Sequence, residues 1–287
     1  MALAEHFLTV KCILGEGPLW HSDRGLLYWV DIEGNSFHTY SIDSGRIDTY
    51  QVGQPVGCLA FRSSGGLVMG LRDGLAFWDH KTAEIEMISA PEKERNGARF
   101  NDGKVDPKGR FWAGTIGEDD HSSLYRLDPD GKVHTMETGI QISNGLGWSP
   151  DAKTMYYTDS PLRKIYAYDF DLESGSITNR RDLVNVPSPD GLPDGLTVDS
   201  EGFIWSAHWD GWRITRYDPE GKIERVIYLP VQRPTSCTFG GIDLDHLFIT
   251  SARTGLSESE LREQPLAGDL FLIQTGIHGQ QEYEFVG

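Results

Sequence analysis

Pro193-Asp-Gly-Leu-Thr-Val-Asp199-Ser-Glu-Gly-Phe-Ile-Trp-Ser-Ala207 holds the unit that the rest of the chain repeats. An oxygen-bearing residue precedes a small one, an apolar run follows, a turn built on Asp199 to Gly202 reverses the chain, and an aromatic-rich run returns. Returning runs recur at Gly25-Leu-Leu-Tyr-Trp-Val-Asp31, Gly66-Leu-Val-Met-Gly70, Gly109-Arg-Phe-Trp-Ala-Gly114, Thr154-Met-Tyr-Tyr-Thr-Asp159 and His246-Leu-Phe-Ile-Thr-Ser251. The residue before each opening small residue serves as a register mark: Glu16, Val56, Asp102, Asn144, Asp194 and Ser236, spaced by 40, 46, 42, 50 and 42. Six units of this length, each with four strands, predict an all-β six-bladed β-propeller, with residues 1–287 as one domain. A β-sandwich shares the strand and turn signals but does not repeat a whole four-strand unit six times. One short helix is expected, over Ser257 to Gln264, in an insertion within the last repeat.

Composition narrows the function classes. The formal charge of −17 and a pI near 4.8 argue against nucleic acid, which needs a basic stripe, and against anionic membranes. No apolar run approaches the roughly 20 residues of a membrane helix, and the first residues do not read as a secretion signal. Cys12, Cys58 and Cys237 are few, odd in number and far apart, as for reduced thiols in a cytoplasmic protein. Oligomeric state has no signature.

The innermost strand of each propeller blade lines the central channel, so the register marks form a ring near one mouth. Glu16, Asn144 and Asp194 bring two carboxylates and an amide carbonyl to that ring. Oxygen donors with room for water suit one hard divalent cation: Ca²⁺, Mn²⁺ or Mg²⁺, with Zn²⁺ or Fe²⁺ also admissible. Taken singly, Asn144-Gly145 and Asp194-Gly195 also read as turn dipeptides. At one register of three repeats, uncompensated in a narrow channel, they read as ligands. Arg99 and Asn101 flank the third mark and offer directional donors for a polyhydroxy or carbonyl ligand. Glu118 and Asp119 follow the strand from Phe111 and are candidates for the same mouth. Trp20, Trp29, Trp112, Trp148 and Trp205 are expected between blades, whereas Trp209 and Trp212 form a pair suited to wall a sugar pocket. Nucleophile-elbow, His-Glu-x-x-His, Cys-x-x-Cys and Walker patterns are absent from the sequence.

Six stretches resemble the SMP-30/gluconolactonase/luciferin-regenerating family, which contains regucalcin and bacterial sugar lactonases. They are Leu14-Gly-Glu-Gly-Pro18, Arg99-Phe-Asn-Asp-Gly-Lys-Val-Asp-Pro107, Ile142-Ser-Asn-Gly-Leu146, Pro193-Asp-Gly-Leu196, Thr235-Ser-Cys-Thr-Phe-Gly-Gly241 and Gln264-Pro-Leu-Ala-Gly268. The resemblance implies a six-bladed propeller with one divalent metal held by Glu16, Asn144 and Asp194. It implies Asp194 as catalytic acid/base and Arg99 and Asn101 on substrate hydroxyls. Regucalcin members carry a glutamate near Asp119; the shorter side chain here leaves Glu118 as a substitute. The expected activity is hydrolysis of an aldono-1,4- or 1,5-lactone, a small-molecule substrate, to the aldonic acid. The alternatives are a non-catalytic calcium-binding propeller and a phosphotriesterase using the same metal. A glycosidase pair of Glu16 and Asp194 would leave Asn144 idle.

Overall fold

The computed structural model describes residues 2–118 and 121–287 and contains six antiparallel sheets, the blades of a propeller. From the axis outward, blade I is Gly15–His21, Leu26–Asp31, Ser36–Ser41 and Ile47–Gln51; blade II is Val56–Phe61, Leu67–Leu71, Leu75–Trp78 and Ile85–Ser89. Blade III is Arg99–Val105, Phe111–Ile116, Ser122–Leu127 and Val133–Ile140; blade IV is Ser143–Trp148, Thr154–Asp159, Lys164–Asp171 and Ser176–Asn185. Blade V is Leu192–Val198, Ile204–Trp209, Arg213–Tyr217 and Ile223–Tyr228. Blade VI takes Pro234–Gly240, His246–Ser251 and Leu270–Gln274 from the last repeat. Its outer strand is Glu5–Leu8, from the other end of the chain.

That last pairing departs from the expectation of four consecutive strands in every repeat. The ring closes by hydrogen bonds between the first and last parts of the chain, and Ala2–Leu3 adds a parallel strand to the outer edge of blade V. Each inner strand touches those of both flanking blades, blade VI meeting blade I. The expected short helix forms over Glu258–Glu263, started by a capping box between Ser257 and Glu260.

Inner strands are buried on both faces and read as continuous apolar runs, such as Val56–Phe61. Outer strands alternate, as in Ile47–Gln51. Apolar side chains gather into one cluster per blade junction. Trp20 and Trp29 pack between blades VI and I, Trp112 and Trp148 between III and IV, and Trp205 between V and VI, as expected. Burying one such side chain contributes about 1.5–3 kcal/mol. Turn carboxylates tie two of these rings down. Asp199 accepts from the Glu201 and Phe203 amides, the Trp205 indole N–H and the Arg216 guanidinium. Asp106 does the same for Lys108, Arg110 and Trp112.

A β-bulge interrupts every inner strand near its start: between Glu16 and Leu19, Val56 and Cys58, Phe100 and Gly103, Ser143 and Leu146, Pro193 and Leu196, and Pro234 and Cys237. A bulge frees one or two residues from pairing and re-aims their side chains, here toward the axis. The segment entering blade V is held firmly before its bulge. Arg163 donates to the carbonyls of Val186, Pro187, Ser188 and Gly191. His208 is buried, with Nδ1 2.7 Å from the Asp190 carbonyl and Nε2 3.2 Å from the Tyr217 hydroxyl. A carbonyl only accepts, so Nδ1 carries the proton and Nε2 accepts from Tyr217.

The far end of the channel is crossed by residues 279–287. Gly279 pairs with Asp199, Gln280 donates to the carbonyls of Trp148 and Val198, and Glu282 meets Lys104 (2.9 Å) and Thr238 (3.1 Å). Phe285, 1% exposed, fills the junction of blades II and III. The channel is therefore a well, open at the Glu16 end.

Two outcomes test this packing. Phe285→Ala should cost about 3–5 kcal/mol, seen as a lower urea midpoint. Burial pushes the His208 imidazole down to about 4, so the stability it contributes is complete above about pH 6.5 and is lost as pH falls through about 4. His208→Asn should flatten the acid limb of a melting-temperature profile in that window; an unchanged limb refutes the assignment.

Candidate metal centre and active site

A cavity of about 200 Å³ opens at the mouth of the channel. Glu16 from blade I, Asn144 from blade IV and Asp194 from blade V line it, each under 10% exposed. Arg99 and Asn101, both on the inner strand of blade III, line it too. Five of the predicted site residues thus share one cavity.

The strand pairing corrects two register marks, those of blades III and VI; on blade VI the bulge frees Thr235 and Ser236, so Thr235, and not Ser236, is the counterpart of Asn144. On blade IV the bulge frees Asn144 and Gly145, on blade V Asp194 and Gly195, and on blade III Asn101 and Asp102. The counterpart of Asn144 and Asp194 is therefore Asn101, and that of the two glycines is Asp102. The Asp102-Gly103 dipeptide mimics Asp194-Gly195 and pulls a sequence register off by one. Alternation then sends Asp102 below the ring, into a small lower chamber with Lys104, Ser236 and Glu282.

The amides are oriented by a short chain of hydrogen bonds. Asn144 Nδ2 donates to Ser160 Oγ (2.8 Å), which fixes Oδ1 as the oxygen turned the other way. Asn101 Nδ2 donates to that Oδ1 (3.1 Å) and to the Ser143 carbonyl (2.8 Å). Asn101 Oδ1 accepts from Arg99 Nη1 (2.6 Å), which also donates to the Phe100 carbonyl (2.9 Å). Both amide protons of Asn101 are thus committed, leaving one Oδ1 lone pair for a ligand. Arg99 keeps Nε and Nη2 without a hydrogen-bond partner among the described residues. Ser160, also in the cavity wall, is a site residue that the sequence does not mark, because Asp159-Ser160-Pro161 reads as an ordinary turn.

The two carboxylates stand apart from the other buried acids. Asp31 accepts from three backbone amides, and Asp106 and Asp199 from backbone, indole and guanidinium donors. Among the described residues, Glu16 accepts from the Gly17 amide alone (2.9 Å) and Asp194 from that of Gly195 alone. Burial, then Asp102, pushes Glu16 up to about 8. Asp194 is pushed well above the carboxylate range by burial and by Glu16 and Asp102, and Asp102 up to about 6 by burial. Arg99 acts favourably on Glu16 through space, but among the described residues no cation forms an ion pair with Glu16 or Asp194, and burial and mutual repulsion prevail. A hard cation would suit the two acids, since carboxylates and a fixed carbonyl oxygen are its usual donors. The residues present fit the metal that the resemblance implies.

Cys12, Asp31 and His38 also lie within ligand reach of one another. The Asp31 oxygens are taken by the amides of Ile13, Leu14 and Gly34, and His38 is engaged by Ser36 and Thr49, so that group fastens blade I. Burial pushes the Cys12 and Cys237 thiols up to about 12 and Cys58 well up, which rules out a ready thiolate nucleophile. Glu118 is exposed and folds over Gly97, outside the cavity wall; Asp119 lies outside the described residues. The tryptophan pair divides: Trp209 lines the cavity, and Trp212 is exposed outside it.

Comparison with known proteins identifies the family. The model of the "SMP-30/Gluconolactonase/LRE-like region" matches residues 14–253. The chain is 38% identical over 281 residues to "Putative sugar lactone lactonase YvrE" of Bacillus subtilis, covering 96% of each chain. A calcium-binding protein, regucalcin, from Agrobacterium tumefaciens superposes with a TM-score of 0.94 at 27% identity, over 99% of this chain and 97% of that one. A gluconolactonase from Xanthomonas campestris superposes with a TM-score of 0.74 at 25% identity, over 91% and 86%. The six blades, the signature stretches and the near-complete coverage lead to one conclusion: the chain belongs to the SMP-30/gluconolactonase/LRE family.

Proposed function

We propose that this protein hydrolyses a sugar lactone to the aldonic acid, with a divalent cation held by Glu16, Asn144 and Asp194. One observation carries the reading: two buried carboxylates, each with a single backbone donor, and an oriented amide oxygen meet at the floor of a cavity that also presents free guanidinium donors. Family membership with lactonases supports it. When bound, the cation supplies Lewis-acid polarisation of the lactone carbonyl and stabilises the developing oxyanion.

The chain's own residues do the rest. Asp194 takes a proton from the attacking water as its oxygen bonds to the carbonyl carbon. It returns the proton to the ring oxygen as the carbon–oxygen bond breaks, leaving the open hydroxy acid. Such proton transfer contributes about 10²- to 10⁴-fold. Arg99 Nε and Nη2 donate to sugar hydroxyls, while the remaining Asn101 lone pair accepts from one. Together they present one face of the ring to water. Asn101 has a second task, holding Asn144 Oδ1 and Arg99 in place through one side chain. The three unpaired thiols support a cytosolic setting.

The regucalcin relative, named as calcium-binding, favours a second reading in which the ion serves stability alone. Acid release from aldono-lactones, followed in a pH-stat with chelated and metal-restored protein, separates the two. Turnover lost in chelator, restored by a divalent cation and reduced at least about 10²-fold in Asp194→Asn is the expected result. A metal-dependent melting temperature without turnover of any lactone refutes the enzyme.

Stability gives an independent test. Glu16 is raised to about 8 in the metal-free fold, so its contribution is complete below the ordinary value of 4.5 and is lost as pH rises through about 8. Chelated protein should melt lower at pH 9 than at pH 5, Glu16→Gln should reduce that slope, and added cation should raise the melting temperature most at high pH. A chelated profile that Glu16→Gln leaves unchanged counts against the assignment.

A further inference from the structure

The polar groups of the cavity lie at its floor and along the Arg99 side; the collar above is apolar. Leu14, Ile32, Ile116, Ile142 and Leu192 supply aliphatic carbon, and Trp209 is the one aromatic ring in the wall among the described residues. Trp209 ends the second strand of blade V, paired with Leu192, two residues before Asp194 in the neighbouring inner strand. Its ring is held on one face. The Arg233 guanidinium lies 4.6 Å from the ring centroid, and Arg233 is itself held by Asp210 (2.7 Å) and by the Thr254 carbonyl. Asp210 is further tied to Gln232 (2.9 Å). A cation over an indole face is a favourable arrangement, and here it immobilises a flat apolar surface at the edge of the well.

Resting on the lactonase reading above, we propose that Trp209 is the specificity-determining residue of the site, with Arg233 as its positioning residue. The ring takes the C–H face of a six-membered sugar lactone whose ring hydroxyls are all equatorial, so that both faces present C–H bonds. Arg99 and Asn101 meet the hydroxyls at the rim of the same ring. An axial hydroxyl turned toward the indole loses its hydration there and finds no acceptor, because the indole N–H only donates and the collar is hydrocarbon. The discrimination lies between epimers of one ring size, which the oxygen-bearing floor does not separate.

The test compares kcat and KM for an all-equatorial six-membered aldono-lactone and its axial epimers, with saturating divalent cation. Wild type, Trp209→Phe, Trp209→Leu, Arg233→Lys and Arg233→Met are the proteins. An aromatic contact of this kind corresponds to about 3- to 10-fold in affinity. Trp209→Leu should raise KM for the preferred lactone by that factor, leave kcat within about 2-fold, and bring the epimer ratio toward one. Trp209→Phe should retain most of the preference. Arg233→Met should weaken it, and Arg233→Lys, which keeps the cation, should restore it. An epimer ratio unchanged in a folded Trp209→Leu overturns the proposal. Calorimetric binding of the corresponding sugar lactam, which keeps the ring, needs no turnover. Lactam affinity lost in Trp209→Leu, beside a wild type inert toward every lactone, would overturn the hydrolytic reading and uphold the platform. Turnover with lactam affinity unchanged in Trp209→Leu would overturn the platform alone.

Discussion

Six inner strands crowd one axis, and the space between them is too small for a side chain. A Cβ on Gly145 would meet the Leu196 backbone nitrogen at 2.3 Å, one on Gly195 the Ser236 hydroxyl at 2.2 Å, and one on Gly57 the Phe100 carbonyl at 2.2 Å. Glycine is the only residue that admits such approach. Gly145 and Gly195 follow the functional positions because the same bulge that turns one residue into the channel brings its neighbour against the next blade. Ligand and glycine are two consequences of one geometric requirement. Gly145 and Gly195 are thus strand residues at a close contact, although their dipeptides carry a turn signature.

Crowding also sets the electrostatics. Glu16, Asp102 and Asp194 enter a narrow well from three blades, away from bulk water and close enough to repel one another. Elsewhere in this fold a buried acid is surrounded by donors, as Asp106 and Asp199 are, and it fastens a turn to a tryptophan. At the axis the donors are withheld. The protein keeps a charge imbalance; in the proposed site a divalent cation would neutralise it, and metal and proton would compete for the same oxygens. The strap at 279–287 closes the other end of the well, so water and ligand meet these groups from one side.

The site is divided between chemistry and shape. Floor residues come from inner-strand bulges on blades III, IV and V and, for Glu16, from the residue before the bulge on blade I, held by the Asn101 to Asn144 to Ser160 chain and by the clamp of Arg163 and His208. Collar residues come from strand ends and the loops next to them.

The sequence by itself determined the number of blades, the short capped helix and the three oxygens at the mouth. Repeat length, turn chemistry and hydrophobic alternation are local properties, and six copies reinforce one another. Only tertiary structure decided where the ring closes, since the pairing of Glu5–Leu8 with Leu270–Gln274 joins residues more than 260 positions apart and leaves no local trace. Only strand pairing decided that Asn101, and not Asp102, is the counterpart of Asn144, because a bulge shifts the register by one residue and Asp-Gly looks the same on either side of it. Likewise Ser160 and Trp209 acquire their places from neighbours on other strands and other blades. A side chain's direction is set by what its backbone pairs with, and pairing across blades is a property of the closed ring.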